Sequence, residues 1–240
     1  MIQTVDILAI AVHPDDAELA CSGTLMHHKS IGYTTGILDL TAGEMGTRGN
    51  PELRMQEAAK AAEIMKLDFR HNLQLRDCFF SIDESHILEI VKWIRALQPK
   101  VVICNAPEDR HPDHGRAAEL ALQACFYSGL AKIHTEMNGQ QQQAFRPEIV
   151  WHYIQDRLLI PSVVLDITPW MDDKVKAIKA FDSQFFNSQQ EGPETYISTP
   201  LFWDNIQAKA RTFGHMIGVE FGEGFIKSGP VQVRSLLIPV

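Results

Sequence analysis

Apolar and polar positions follow two different periods along the first 130 residues of the chain. Continuous apolar runs with many β-branched residues are typical of strands that are covered on both faces, and they occur at residues 5–12, 34–40 and 100–106. A shorter strand is predicted at 72–75. Helical spacing is found at residues 16–30, 51–67, 83–97 and 115–126. Such alternation predicts right-handed βαβ units in a Rossmann-like α/β fold, with a mostly parallel sheet and helices on both faces.

The pattern changes beyond residue 129. A polar loop is predicted at 138–147, and two more strands follow at 148–156 and 162–168. Helices are predicted at 170–182 and 200–214, before a glycine-rich tail. We find no internal repeat and no linker long enough to separate two units. The chain is therefore expected to form one domain over residues 1–240, with a core at 1–130 and a C-terminal elaboration at 131–240 that completes the pocket.

Charge and composition exclude several classes of function. The chain has 22 basic and 30 acidic residues, a net charge of −8, which argues against a nucleic-acid partner. It has no apolar run near the roughly 18 residues that span a bilayer, and its start lacks the basic region of a signal peptide. We therefore expect a cytoplasmic protein with no membrane partner. The absence of a CxxC pair predicts free, buried thiols at Cys21, Cys78, Cys104 and Cys125.

Two polar motifs follow predicted strands. HPDD, at residues 13–16, comes directly after the first strand, and HPDH, at residues 111–114, comes shortly after the strand at 100–106. Ligands of open parallel sheets bind beyond the carboxyl ends of the strands, so both motifs can meet in one pocket. Imidazole and carboxylate are ligands for zinc and ferrous iron, and catalytic sites use three protein ligands and a water. A helix cap would explain one such motif, but two in one chain favour a site.

Each motif has more donors than one ion needs. Of Asp15 and Asp16, one can bind metal while the other faces water. His111 and His114 are three residues apart at a helix start, so one can be a ligand while the other points at substrate. The residues alone do not decide which is which.

The segments AVHPDDAELACSGTL and EDRHPDHGRAAEL resemble the LmbE/PIG-L family of zinc-dependent N-acetylglucosaminyl deacetylases. Other segments are similar to its bacillithiol-pathway branch, which deacetylates N-acetylglucosaminyl malate: DLTAGEMGTRG, ELRMQEA, HYIQDR, EGPET and IGVEFGEGF. The similarity extends over nearly the whole chain. It implies a hydrolase that removes the N-acetyl group from a small N-acetylglucosamine conjugate. Because relatives are often oligomeric, it also implies a homo-oligomer.

The resemblance implies a role for each motif residue. The metal ligands would be His13, Asp16 and His114, which hold Zn²⁺, with Fe²⁺ as the alternative. Asp15 would be the general base. His111 would assist the oxyanion or the leaving group, and Asp113 would orient His111 and favour its imidazolium form. Either Asp15 or His111 could protonate the departing amine.

Substrate contacts are predicted from three arginines, because arginine makes bidentate contacts with carboxylates such as those of malate. These are Arg48, Arg54 and Arg110, each of which could equally be a surface or structural residue. Arg54 matches an arginine that faces substrate in close relatives. Tyr196 is a candidate for an oxyanion tyrosine, and His152 and Asp156 are candidates for the pocket wall. Ala20 and Ser22 replace residues that are often glycine in the family, which affects helix–sheet packing.

Three alternatives remain. The first is another amide substrate: free N-acetylglucosamine, a chitooligosaccharide or a thiol S-conjugate. The second is a binding module that holds metal without turnover; the spare Asp15 argues against it, because structural sites usually have four protein ligands and need no base. The third is a dinucleotide enzyme, which lacks support because no GxGxxG follows the first strand.

Overall fold

The computed structural model describes residues 3–185, 192–227 and 229–231 of the chain. The strands in these ranges are β1 (Ile7–Ala11), β2 (Thr35–Thr41), β3 (Phe69–Leu75), β4 (Val101–Cys104), β5 (Glu136–Met137), β6 (Gln140–Gln141), β7 (Ile149–Tyr153), β8 (Val163–Asp166) and β9 (Gly222–Ile226). The helices are α1 (Asp16–Ser30), α2 (Pro51–Met65), α3 (Glu84–Leu97), α4 (Pro112–Ser128), α5 (Met171–Lys179) and α6 (Pro200–Ile217). A short 3₁₀ turn, Thr168–Trp170, precedes α5.

Seven strands form one sheet in the order β3-β2-β1-β4-β7-β9-β8. The first five are parallel, and β9 runs antiparallel to both of its neighbours. The predicted α/β fold with a mostly parallel sheet is confirmed. Two elements differ from the prediction. The glycine-rich tail contributes β9 to the sheet, and the start of the predicted polar loop belongs to a small hairpin of β5 and β6. A single domain over 1–240 stays a prediction.

Helices cover both faces of the sheet, which explains the continuous apolar run of the first strand. All five residues of β1 are buried, and successive side chains point to opposite faces. Leu8 and Ile10 pack with apolar residues of α3 and α4, whereas Ile7 and Ala9 pack with α1 and α5. No helix in the described ranges is long and apolar enough to cross a membrane. The four cysteines are free thiols; three are buried, and Cys78 is half-buried.

Strands β1 and β4 are adjacent and aligned, with Ile10 opposite Cys104. The chain builds the sheet outward in one direction through β2 and β3 and in the other through β4 and β7. The boundary between β1 and β4 is therefore the switch point at which ligands of such sheets bind. HPDD follows β1 and HPDH follows β4, so both motifs lie at this switch point.

A buried ion pair connects the C-terminal strand β9 to α1 and α5. Glu223 and Lys174 lie 2.6 Å apart, and both side chains are almost fully buried. The Glu223 carboxylate also accepts hydrogen bonds from the backbone N–H groups of Gly23 and Thr24, in the middle of α1. Lys174 donates to the Leu19 carbonyl oxygen. The pair thus fixes α1, whose first turn carries the HPDD motif, against the C-terminal part of the sheet.

We predict that Glu223→Gln lowers the free energy of unfolding by about 3–5 kcal/mol, because it leaves the Lys174 ammonium buried without its counter-charge. Asp173→Asn is the matched control, since it breaks the exposed pair of Asp173 with Lys176 on the same helix. That change should have little effect on stability, because water screens an exposed pair. Urea unfolding monitored by circular dichroism measures both. Equal effects of the two substitutions would contradict the structural role given to the buried pair.

Candidate active site and metal centre

The HPDD motif forms a strained turn between β1 and α1. Asp15 has φ 131° and ψ −24°, a conformation that L-residues rarely adopt. The His13 backbone N–H donates to the Asp16 Oδ2 atom at 3.0 Å, which holds the turn closed. The turn directs the two carboxylates differently, so that Asp16 faces the histidines and Asp15 faces an arginine. Strain of this kind is concentrated at functional sites.

The three predicted ligands meet in one buried cluster. The Nδ1 atom of His13 lies 3.4 Å from Asp16 Oδ2, and the Nε2 atom of His114 lies 3.4 Å from Asp16 Oδ1. Potential ligand atoms of the three residues are all within 4.8 Å of one another. Two ligands of a tetrahedral zinc ion, each about 2.05 Å from it, would be about 3.4 Å apart. The donor set and its spacing therefore fit one divalent ion.

Polar neighbours orient each of these ligands. Asp77 Oδ1 lies 3.1 Å from His13 Nε2, and Asp109 Oδ2 lies 2.7 Å from His114 Nδ1. The nitrogen that faces Asp16, Nδ1 of His13 and Nε2 of His114, is therefore the one that could bind a metal ion. Gln155 donates to Asp16 Oδ1 at 2.6 Å. Carboxylate–histidine contacts of this kind fix the ring orientation and the tautomer of metal ligands.

Sequence reasoning missed Asp77, Asp109 and Gln155. Asp109 lies in the quoted segment EDRHPDH, and Gln155 in HYIQDR, so the family resemblance covered both without assigning them a role. Asp77 follows β3, which is separated from β1 by β2 in the sheet. Its position beyond the end of a predicted strand could have identified it as a site residue.

The cluster concentrates opposite charges away from water. Burial alone would lower the pKa of His13 and His114, but their hydrogen bonds and charge contacts with carboxylates raise these pKa values to about 9 and about 10. For Asp16, burial works in the raising direction, yet the two histidines hold the pKa of its carboxyl well below the usual range. A divalent cation that binds here displaces the histidine protons.

Asp15 lies beside the ligands and is held by Arg54. The Nη2 atom of Arg54 donates to Asp15 Oδ2 at 2.7 Å, and its Nε donates to the Pro14 carbonyl oxygen at 3.2 Å. Burial raises the pKa of Asp15 to about 6, although the Arg54 charge opposes the shift. A carboxyl with a pKa near neutrality suits a general base. Arg54, predicted as a substrate contact, is buried and directs its guanidinium to the Asp15 carboxylate and to the backbone of the turn.

His111 lies at the opening of the cluster. Its ring centroid is 4.9 Å from that of His13 and 5.3 Å from that of His114. Burial and the charges of these two histidines lower the pKa of His111, against the opposing charge of Asp113. The Asp113 backbone N–H donates to His111 Nδ1 at 3.3 Å, so a neutral ring carries its hydrogen on Nε2.

The position of Asp113 differs from the expected carboxylate–imidazole contact. Its carboxylate lies 3.0 Å from Arg116, three residues further along α4, and accepts a hydrogen bond from the backbone N–H of Cys78 at 3.1 Å. Asp113 therefore contacts His111 through its backbone, and the surroundings favour the neutral imidazole rather than the predicted imidazolium.

The cluster lies at the base of an open cleft whose wall includes all three predicted arginines and Tyr196. Arg48 donates to the Ser183 carbonyl oxygen, and Arg110 donates to Asp156 Oδ2 at 2.7 Å while stacking on the Tyr196 ring. The Tyr196 hydroxyl donates to Asp156, so it is not directed at the metal ligands. Both arginines and Tyr196 are available at the cleft surface to a bound molecule.

Asp156 and His152, the two residues predicted to line the pocket, lie in different places. Asp156 lies in a chamber beside the cleft, between Arg110 and Tyr196. His152 is buried on β7, where its Nδ1 is 2.6 Å from the Asn105 carbonyl oxygen. His152 thus supports the segment between β4 and the HPDH motif and does not line the cleft.

Comparison with known proteins identifies the family. Residues 8–125 match the family model described as "PIG-L: GlcNAc-PI de-N-acetylase". A solved structure, the conserved protein TT1542 from Thermus thermophilus, is 36% identical with a TM-score of 0.87, and the match covers 98% of this chain and 100% of that one. The chain belongs to the PIG-L family. Both motifs lie within the matched residues, so the ligand cluster lies in the part that the PIG-L family model describes.

Two curated relatives extend the PIG-L comparison. A protein of Thermococcus kodakarensis named diacetylchitobiose deacetylase is 28% identical over 228 residues, which cover 91% of this chain and 81% of that protein. A Bacillus anthracis protein named probable N-acetyl-alpha-D-glucosaminyl L-malate deacetylase 2 is 25% identical over 203 residues, covering 79% of this chain and 86% of that protein. This chain is thus a member of a deacetylase enzyme family along most of its length.

We predict that replacing His111 and replacing His114 have different effects on metal binding and activity. His114→Ala should abolish binding of a divalent ion, because it removes one of three ligands. His111→Ala should keep the ion and lose activity by a factor on the order of 10²–10³, the usual effect of removing an oxyanion donor. Metal content by mass spectrometry after dialysis, with the deacetylation rate, measures both. A metal-free His111→Ala beside a loaded His114→Ala would reverse the assignment.

The Arg54–Asp15 contact predicts a shift in pH dependence. A base acts when it is deprotonated, so kcat/KM should fall as the pH drops through about 6 in the native protein. Arg54→Met removes the charge that lowers the pKa of Asp15, so the loss should begin at higher pH, by about one unit. Lys60→Met, at an exposed position of the same helix, is the control. An unshifted acid limb in Arg54→Met would show that Arg54 does not tune the base.

Proposed function

We propose that this chain is a metal-dependent hydrolase that removes the N-acetyl group from an N-acetylglucosamine conjugate. The observation that carries the proposal is the arrangement around Asp16: three buried potential ligands of one ion lie together, and the Asp15 carboxylate and the His111 imidazole lie beside this set. A structural metal site would need neither group.

His13, Asp16 and His114 would hold the ion, which we propose to be Zn²⁺, with Fe²⁺ as the alternative. A divalent ion in such a site polarises an amide carbonyl and lowers the pKa of water. Asp77, Asp109 and Gln155 hold these three residues, and the acetamide would bind beside the ion that they hold.

The residues of this chain then account for the proton transfers. Asp15 accepts a proton from the water whose oxygen forms a bond to the acetyl carbon. The Nε2–H group of His111 donates a hydrogen bond to the oxygen that gains negative charge. The carbon–nitrogen bond breaks, and the amine takes from Asp15 the proton that Asp15 accepted from water, leaving acetate and a free amino sugar. A neutral His111 has no proton of comparable acidity to give, so its part is the hydrogen bond to the oxyanion. Arg54 is a positioning residue that keeps Asp15 aimed at this point.

For the substrate we propose N-acetylglucosaminyl malate, as in bacillithiol biosynthesis. The motif segments resemble that branch, and the B. anthracis relative bears a name of that activity. Arg48 and Arg110, at the cleft wall, are the proposed carboxylate contacts. The T. kodakarensis relative supports a second candidate, an N-acetylated chitooligosaccharide. The resemblance also supports a cytoplasmic homo-oligomer, and light scattering on the purified protein tests the subunit count.

The decisive experiment assays release of free amine from N-acetylglucosaminyl malate, diacetylchitobiose and N-acetylglucosamine by metal-loaded protein. We expect turnover of at least one, fastest for the malate conjugate. Asp15→Asn is the control for chemistry, and it should keep the metal and lose nearly all of the rate. Unchanged turnover by metal-loaded Asp15→Asn would exclude the proposed base, and no amine from any of the three compounds would exclude the proposed function.

A further inference from the structure

A second chamber opens beside the catalytic cleft and is continuous with it. The two share His114, Arg110 and Tyr196 as lining residues. The chamber lies between α6 and the segment after β7, and its apolar wall includes Leu158, Phe202 and Ile206. Its volume of about 270 Å³ is close to the lower limit of about 300 Å³ for small-molecule pockets. It has room for a substituent of a molecule whose reacting part lies in the cleft.

Lys209 of α6 brings a positive charge to the wall of this chamber. Its side chain lines the chamber and is half-buried, and within the described parts of the chain it has neither an ion-pair nor a hydrogen-bond partner. Burial and the charge of Lys174 lower the pKa of Lys209 to about 8. Holding an ammonium in such a place costs free energy unless an anion offsets it.

The carboxylates near Lys209 are committed to other groups. Glu223 binds Lys174 and the amides of α1. Asp156 accepts from Arg110 and from the Tyr196 hydroxyl. Asp109 contacts His114 and accepts from the Arg157 backbone N–H. Each of these acidic groups therefore has a cationic or N–H partner of its own, and none of the described carboxylates is hydrogen-bonded to Lys209. The Lys209 ammonium is thus available to an anionic group of a molecule that enters the chamber.

We propose that the chamber receives the substituent attached to the acetylated sugar, and that Lys209 pairs with a carboxylate on that substituent. Lys209 is then a specificity-determining residue that favours acidic conjugates over neutral sugars, while Leu158 and Phe202 cover the carbon skeleton. The inference rests on the proposed function, because it assumes that the acetamide lies against the His13–Asp16–His114 cluster.

The test compares Lys209→Gln with native protein on two substrates that differ in charge: N-acetylglucosaminyl malate and the neutral methyl N-acetylglucosaminide. We expect the variant to raise KM for the malate conjugate by about 10- to 100-fold, the effect of losing a charge-assisted hydrogen bond, with kcat little changed. KM for the methyl glycoside should stay within about twofold, and Lys209→Arg should restore most of the difference.

Arg211→Gln is the matched control, because it removes an exposed positive charge from the same helix, two residues away. It should leave both substrates unaffected, and thermal melting checks that all variants fold. An equal loss on both substrates, or none on either, would overturn the role of Lys209. Absence of turnover with both of these compounds and with diacetylchitobiose would instead reject the proposed function. In that case, binding of the same two compounds is measured by calorimetry. If Lys209→Gln weakens binding of the malate conjugate alone, the role of Lys209 in the chamber is supported. If native protein and variant bind both compounds equally, that role is overturned.

Discussion

The whole site depends on the parallel pairing of β1 with β4. Because Ile10 lies opposite Cys104 and both strands run in the same direction, they end level, and the chain must leave both at one edge of the sheet. This register brings together motifs that are about a hundred residues apart in the sequence. A shift of β4 by one residue would turn its buried side chains to the opposite face and separate His114 from Asp16. The apolar runs that bury β1 and β4 on both faces are therefore also what aligns the ligands.

Beyond these two strands, the site consists of buried groups of opposite charge that contact one another. Asp16 is shared by two histidines, each histidine contacts a second carboxylate, and Asp15 is paired with Arg54. Each group is held by another before any substrate arrives, so little reorganisation remains for the reaction. The strained Asp15 backbone fits the same scheme, because it aims the two neighbouring carboxylates at different partners. Removing one partner leaves a buried charge unpaired.

Local patterns predicted much of the architecture, and what they missed was decided by distant contacts. The continuous apolar runs gave the parallel strands, and HPDD and HPDH gave the ligand cluster in outline. Strand β9 escaped prediction because GEGFI has two glycines and no alternating apolar positions; its place comes from pairing on both edges and from Glu223. The contact of Arg54 with Asp15 joins positions 39 residues apart, and the chamber around Lys209 is formed by several separate segments, so no local spacing rule reveals either feature.

The position of β9 has a consequence for how the protein is made. Among the strands that the structure describes, β8 pairs with β9 alone, and the Ile154 backbone N–H, next to Gln155, donates to the Gly224 carbonyl oxygen. A nascent chain therefore carries both histidine motifs long before it can complete the wall that supports Asp16. Until residue 226 leaves the ribosome, β7 keeps a bare edge that can pair wrongly with other chains. Pairing of β9 thus both completes the wall beside Asp16 and covers the exposed edge of β7.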